Sequence, residues 1–176
     1  MSILEAPRQS AVEKTHRIEI LLVEDNPIDA EMTIRTLRQH NFLNPLLWVK
    51  DGQEALDFLF CVGAYANRKG MEPPKLILLD IRMPKVNGIE VLQKIKTDAR
   101  LRLVPVVVLS SSSEHPDIAE ACRLGVNSYI VKSIDFGAFA ETIAKVTKRY
   151  IPTNDRTLGR FHQHSHPANY ESSPPP

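Results

Sequence analysis

Asp80 closes an apolar run, Lys75-Leu76-Ile77-Leu78-Leu79-Asp80, and the chain continues Ile81-Arg82-Met83-Pro84-Lys85-Val86-Asn87-Gly88. A buried strand of this kind delivers one carboxylate to its exit, where a Pro/Asn/Gly turn swings the chain away. Glu24 and Asp25 follow another apolar run, residues 18–23. Ser110 follows a third, residues 104–109, and Lys132 a fourth, residues 129–131. Three acids, a hydroxyl and an amine at four strand ends can bind a divalent cation and hold a phosphoryl group.

The chemistry follows from the charges. Carboxylates gathered in one place repel, and burial aggravates this. A hard divalent cation relieves it. Mg²⁺ takes oxygen ligands, keeps several waters and readily shares its shell with a phosphate. Asp25 and Asp80 are the candidate direct ligands, Glu24 acts through water, and the backbone carbonyl of Arg82 is a further candidate. Asp80 is the candidate nucleophile, since a carboxylate can carry phosphorus as an acyl phosphate. Mg²⁺ and Lys132 would neutralise the transferring oxygens, Ser110 would donate a hydrogen bond, and the small Ser111 would leave room. Each residue alone has a plainer reading. Asp80 could cap a turn, Glu24-Asp25 could favour the positive end of a helix, any of Ser110 to Ser113 could cap the next helix, and Lys132 could be a solvated lysine. The conjunction at four strand ends carries the argument.

Those ends need a scaffold. Short apolar runs at 18–23, 45–49, 76–80, 104–109 and 129–131 alternate with helix-period segments at 27–40, 51–60, 88–96, 115–124 and 136–150. Ile28, Met32 and Leu37 recur at helical spacing, and Asn26-Pro27 is a helix-start signal. Asp51-Gly52 and Asn87-Gly88 mark similar strand-to-helix turns. Strands alternating with helices predict an α/β fold, a doubly wound parallel sheet with helices on both faces. The expected order is 2-1-3-4-5, with a ligand site where strands 1 and 3 diverge. Glu24, Asp25 and Asp80 fall there. The connection 61–74 is long and is expected to extend the second helix before looping back.

Bulk properties narrow the function. The chain has 176 residues, 43% of them apolar, which suits one well-buried domain. A formal charge of +1 gives no whole-chain basic signature and argues neither for nor against nucleic acid; nucleic acid is not an expected partner because no DNA-binding domain is expected after residue 150. Cys61 and Cys122 lie beside apolar neighbours and read as reduced, partly buried thiols. There is no run of about 18 apolar residues, hence no expected membrane partner, and no leader-like start. A cytoplasmic protein is the default. Residues 1–16 read as a flexible arm and 17–150 as the domain. The Pro/Ser/His-rich residues 151–176 read as a disordered tail too short to fold unaided. His162, His164 and His166 in that tail could bind Zn²⁺ or Ni²⁺ weakly; a solvated tail is the plainer reading.

Taken together, the motifs resemble the receiver domain of two-component response regulators. The matching elements are Glu24-Asp25, Asp80, Met83-Pro84, Asn87-Gly88, Ser110 and Lys132. Tyr129 falls at the family's switch aromatic, three residues before the lysine. The resemblance covers about residues 17–150. It implies a flavodoxin-like fold and transfer of a phosphoryl group from a histidine kinase to Asp80, with Mg²⁺ required. Phosphorylation would draw Ser110 inward and free space for Tyr129, and Arg82 and Ser112 would flank the phosphoryl group and tune its hydrolysis. The long second connection and the segment Ile95-Lys96-Thr97-Asp98 … Val104–Ser110 resemble stand-alone regulators that partner phytochrome-type histidine kinases. In those, the face made by the fourth helix, fifth strand and fifth helix mediates homodimerisation. Here it would include Tyr129, Phe136 and Phe139. One departure is Lys132-Ser133, where the family has proline after the lysine; a cis bond is costly without it, and the sequence leaves cis and trans open there. Two rivals remain. A phosphatase of haloacid-dehalogenase type would need an acid two residues after the nucleophile, where this chain has Arg82. A pseudo-receiver scaffold would act without phosphate.

Overall fold

The computed structural model of the protein describes residues 17–111, 115–132 and 135–152. The N-terminal arm, Ser112, Ser133 and the tail with its three alternating histidines lie outside the described residues.

Five strands, β1 (Ile20–Val23), β2 (Leu46–Val49), β3 (Leu76–Leu79), β4 (Val106–Ser110) and β5 (Ser128–Val131), form one parallel sheet in the order β2-β1-β3-β4-β5. Five α-helices alternate with them: α1 (Pro27–Gln39), α2 (Gly52–Phe60), α3 (Gly88–Thr97), α4 (His115–Arg123) and α5 (Phe136–Thr147). The expected class and strand order are both present. Side chains alternate across a strand with a period of two. Leu21, Val23, Ile77, Leu79, Val106 and Val108 therefore share one core with residues of α2, α3 and α4. Ile20, Leu22, Leu76, Leu78, Val107 and Leu109 share the opposite core with α1 and α5. Burial on both faces explains why the strands read as unbroken apolar runs.

Local signals account for the helix starts. The Asn26 side chain accepts from the Ile28 and Asp29 N–H groups, with Pro27 in the first turn. Asp51 caps α2, and Asn87 with Glu90 forms a reciprocal capping box on α3. Such caps satisfy N–H groups that have no partner within the helix.

Three expectations need correction. First, α2 does not run on into the 61–74 connection. It stops at Phe60 because Cys61 adopts a left-handed conformation, φ 57°, and the Val62 N–H returns to the Asp57 carbonyl at 2.9 Å. A 3₁₀ helix, Gly63–Arg68, follows. Second, Ile28 is 75% exposed; the core stripe of α1 is Ala30, Thr33, Thr36 and Leu37. Ala30 lies two positions after Ile28, about 200° around the helix. Third, Cys61 is buried but Cys122 is exposed, because its neighbour Ala121 takes the core-facing position on α4.

Candidate functional site

The carboxyl ends of β1, β3, β4 and β5 bring Glu24, Asp80 and Lys132 together at one site. Glu24 leaves β1 with its N–H bonded to the Val49 carbonyl at 3.1 Å, and Asp80 leaves β3 with its N–H bonded to the Val23 carbonyl at 3.0 Å. The sheet ladder thus carries both acids to the same level. Residues Glu24, Asp25 and Asp80 bring one carboxylate oxygen each within 4.8 Å of one another. Glu24 is 1% exposed and Asp80 4%, while Asp25 is exposed. Ser110 ends β4 fully buried, and its carbonyl accepts the Lys132 N–H at 2.8 Å.

The loop after Asp80 is held by close backbone packing. A Cβ on Gly88 would stand 2.1 Å from the Asp80 carbonyl oxygen, and one on Gly52 2.2 Å from the Val86 carbonyl oxygen. Only glycine lets α2 and α3 begin this close to the loop. Lys85 adds a 2.8 Å ion pair to Asp51.

The Lys132 side chain is 8% exposed and lies among acids. Its Nζ stands 2.5 Å from Glu24 Oε2, 2.9 Å from Asp29 Oδ2 and 3.6 Å from Asp80 Oδ1. The last distance exceeds a hydrogen bond, and Asp80 Oδ1 is buried with no hydrogen-bond partner. Asp29 was not singled out in the sequence. The available signal was an acid four residues after Asp25, one turn into α1.

Burial dominates the titration of Glu24 and Asp80. It pushes the Glu24 carboxyl up to about 7, against the opposing pull of the Lys132 ammonium. It also raises Asp80, again opposed by Lys132. Burial alone would lower the Lys132 ammonium, but Glu24, Asp80 and Asp29 hold it above its ordinary value. Three carboxylates, Glu24, Asp29 and Asp80, face one ammonium. A buried carboxylate oxygen without a partner, in a set of hard oxygen donors, fits a hard divalent cation.

Two further expected residues sit at the rim. The Arg82 side chain reaches Asp117 in the first turn of α4, with Nη2 3.3 Å from Oδ2. Tyr129 is half-buried and hydrogen-bonded to Ser110, so the two proposed switch residues are already in contact. Phe139, expected on an exposed face with Tyr129 and Phe136, is instead 2% exposed and part of the α1/α5 core. The apolar side chains exposed there are Phe136 and Val131. Among the described residues no helix is long and apolar enough to cross a membrane.

Residues 20–144 match the family described as the response regulator receiver domain. The chain is 38% identical over 135 residues to the "Probable methanogenesis regulatory protein FilR2" of Methanothrix harundinacea, covering 77% of this chain and 84% of the relative. It is 40% identical over 114 residues to response regulator Rcp1 of Synechocystis sp., covering 65% and 76%. The Mn²⁺-bound form of Rcp1 superposes with a TM-score of 0.69 at 34% identity, covering 76% of this chain and 94% of that one. The phosphorylated cyanobacterial phytochrome response regulator RcpA superposes with a TM-score of 0.67 at 39% identity, covering 74% and 91%. The sheet order and flanking helices are those of the flavodoxin-like fold.

Proposed function

We propose, from the premise that this chain belongs to the response regulator receiver domain family, that it is a stand-alone phosphoacceptor of a two-component relay. Its partner class is the histidine kinase. Similarity along 91% of the phytochrome regulator RcpA favours a phytochrome-type kinase; the cytoplasm is the proposed place of work. The protein would catalyse only its own phosphorylation and dephosphorylation.

The observation that carries the reading is Asp80 Oδ1, buried, without a hydrogen bond, and 3.6 Å from the Lys132 ammonium. Asp80 attacks phosphorus, the bond to the donor histidine nitrogen breaks, and its electron pair stays on the imidazole. Asp25 and Asp80 would hold Mg²⁺ directly, Glu24 through water, with the Arg82 carbonyl as a further ligand. The cation supplies charge neutralisation of the carboxylates and of the phosphoryl oxygens. Lys132 neutralises the phosphoryl oxygens from the side of β5, and Ser110 donates to one of them, loosening its bond to Tyr129. A haloacid-dehalogenase-type phosphatase is disfavoured, because the position its general acid would occupy is Arg82, engaged with Asp117.

Intact mass after incubation with acetyl phosphate tests this. Wild-type protein is expected to gain one phosphoryl group with Mg²⁺ and none without it, and Asp80→Asn protein to gain none. Failure of the wild type to take up either phosphoryl or beryllofluoride would leave the phosphate-independent scaffold as the better account.

The output is a protein contact. Tyr129, Val131 and Phe136 present apolar surface beside one another in sequence, at β5 and the start of α5, and form the proposed contact with a second copy. A charge in a buried apolar contact is strongly unfavourable. Phe136→Asp protein is therefore expected to sediment as a monomer under conditions where phosphorylated wild type is a dimer. Equal sedimentation of the two would remove this face from consideration.

A further inference from the structure

We infer that Asp29 is a positioning residue for Lys132, a role that rests on the reading of Asp80 as phosphoacceptor. An ammonium has three N–H donors. Glu24 Oε2 at 2.5 Å and Asp29 Oδ2 at 2.9 Å engage Lys132. Asp80 Oδ1, at 3.6 Å, is left outside hydrogen-bond range. Charge-assisted pairs of this kind close to about 2.7–2.9 Å when nothing restrains them. Something therefore holds the ammonium off the phosphoacceptor, and Glu24 and Asp29 are the two groups bonded to it.

These two acids are not equivalent. Glu24 belongs to the carboxylate cluster that fits a cation, and Asp29 does not. When Glu24 serves the cation, Asp29 is the acid that still anchors Lys132. Its own place is set by the start of α1: Pro27 opens the helix, and the Asn26 side chain accepts from the Asp29 N–H at 3.4 Å. An acid in a first turn is ordinarily accounted for by the helix dipole. A 2.9 Å bond to a lysine 103 residues away, itself 8% exposed, goes beyond that account. Without Asp29, Lys132 closes on Asp80 and obstructs the oxygen that must attack phosphorus.

The test uses the full chain with Asp29→Asn, Asp29→Ala and Asp29→Glu. Asparagine keeps the shape and a first-turn acceptor, so it separates charge from folding. Both neutral variants are expected to slow phosphoryl uptake from acetyl phosphate about tenfold, the worth of one charge-assisted hydrogen bond. Beryllofluoride and Mg²⁺ binding should both weaken, because Lys132 then pairs with Asp80, and glutamate should restore much of the rate. Neutral variants with wild-type uptake and beryllofluoride affinity would overturn the inference alone. So would a loss of Mg²⁺ affinity in Asp29→Asn that persists in the Lys132→Ala background, because Asp29 would then act on the cation cluster directly rather than through Lys132. A wild-type chain that takes up neither phosphoryl nor beryllofluoride overturns the phosphoacceptor reading itself, before any variant is compared.

Discussion

Lys132→Ala protein is expected to take up phosphoryl from acetyl phosphate roughly 100- to 1,000-fold more slowly, the range seen when one preorganised donor is removed from a transition state. The same change is expected to tighten Mg²⁺ binding. The two effects have opposite signs because the ammonium has two relations to the site. Toward a phosphoryl group it is a neutralising partner. Toward a cation it is a competitor, already bonded to Glu24 at 2.5 Å and 3.6 Å from Asp80. The chain carries one tryptophan, Trp48, and its indole N–H donates to the Glu24 carbonyl oxygen at 2.8 Å. Its fluorescence is therefore a direct reporter for an Mg²⁺ titration. Weaker Mg²⁺ binding in Lys132→Ala would contradict this picture, since it would make Lys132 a support of the cation site rather than its rival.

The second large effect is a dependence of stability on pH that the cation flattens. Burial holds the Glu24 carboxyl at about 7 in the folded protein, against 4.5 as its ordinary value. The folded state thus binds this proton more tightly than the unfolded chain. The associated stability is fully present below about pH 4.5 and is lost as pH rises through about 7. Over that interval the loss amounts to ~3 kcal/mol. Asp80, raised by burial as well, adds in the same direction. Urea midpoints measured with EDTA should therefore fall between pH 5 and pH 8. Mg²⁺ should flatten the fall, because it offers the ionised carboxylates a partner and binds the folded state selectively. Glu24→Gln protein isolates the cause and should lose most of the slope. A cation-free wild type that gains stability from pH 5 to pH 8, relative to Glu24→Gln, would show that Glu24 is not held protonated by its surroundings.

Much of the site was legible in the chain because strands state their ends plainly. An apolar run buried on both faces stops where a polar residue can reach the sheet edge, and Glu24, Asp80, Ser110 and Lys132 mark those stops. The alternation of runs with helical segments then leaves few topologies, and the observed order is among them. Asn26-Pro27 and Asn87-Gly88 announce their helices because capping is a local hydrogen-bond problem. The end of α2 was obscure for the converse reason. Its left-handed residue is Cys61 rather than the glycine that normally signals such a stop.

What remained hidden depends on rotation and on distance through space. Periodicity shows that α5 has an apolar stripe, but packing against β4 and β5 decides that Phe139 enters the core while Phe136 stays outside. The same rotation buries Ala121 and exposes Cys122 on α4. Composition and order determined the fold and the residues at its active edge. Only the tertiary structure paired Lys132 with Asp29 and Arg82 with Asp117, because those contacts join groups 103 and 35 residues apart whose meeting is set by how helices seat on the sheet.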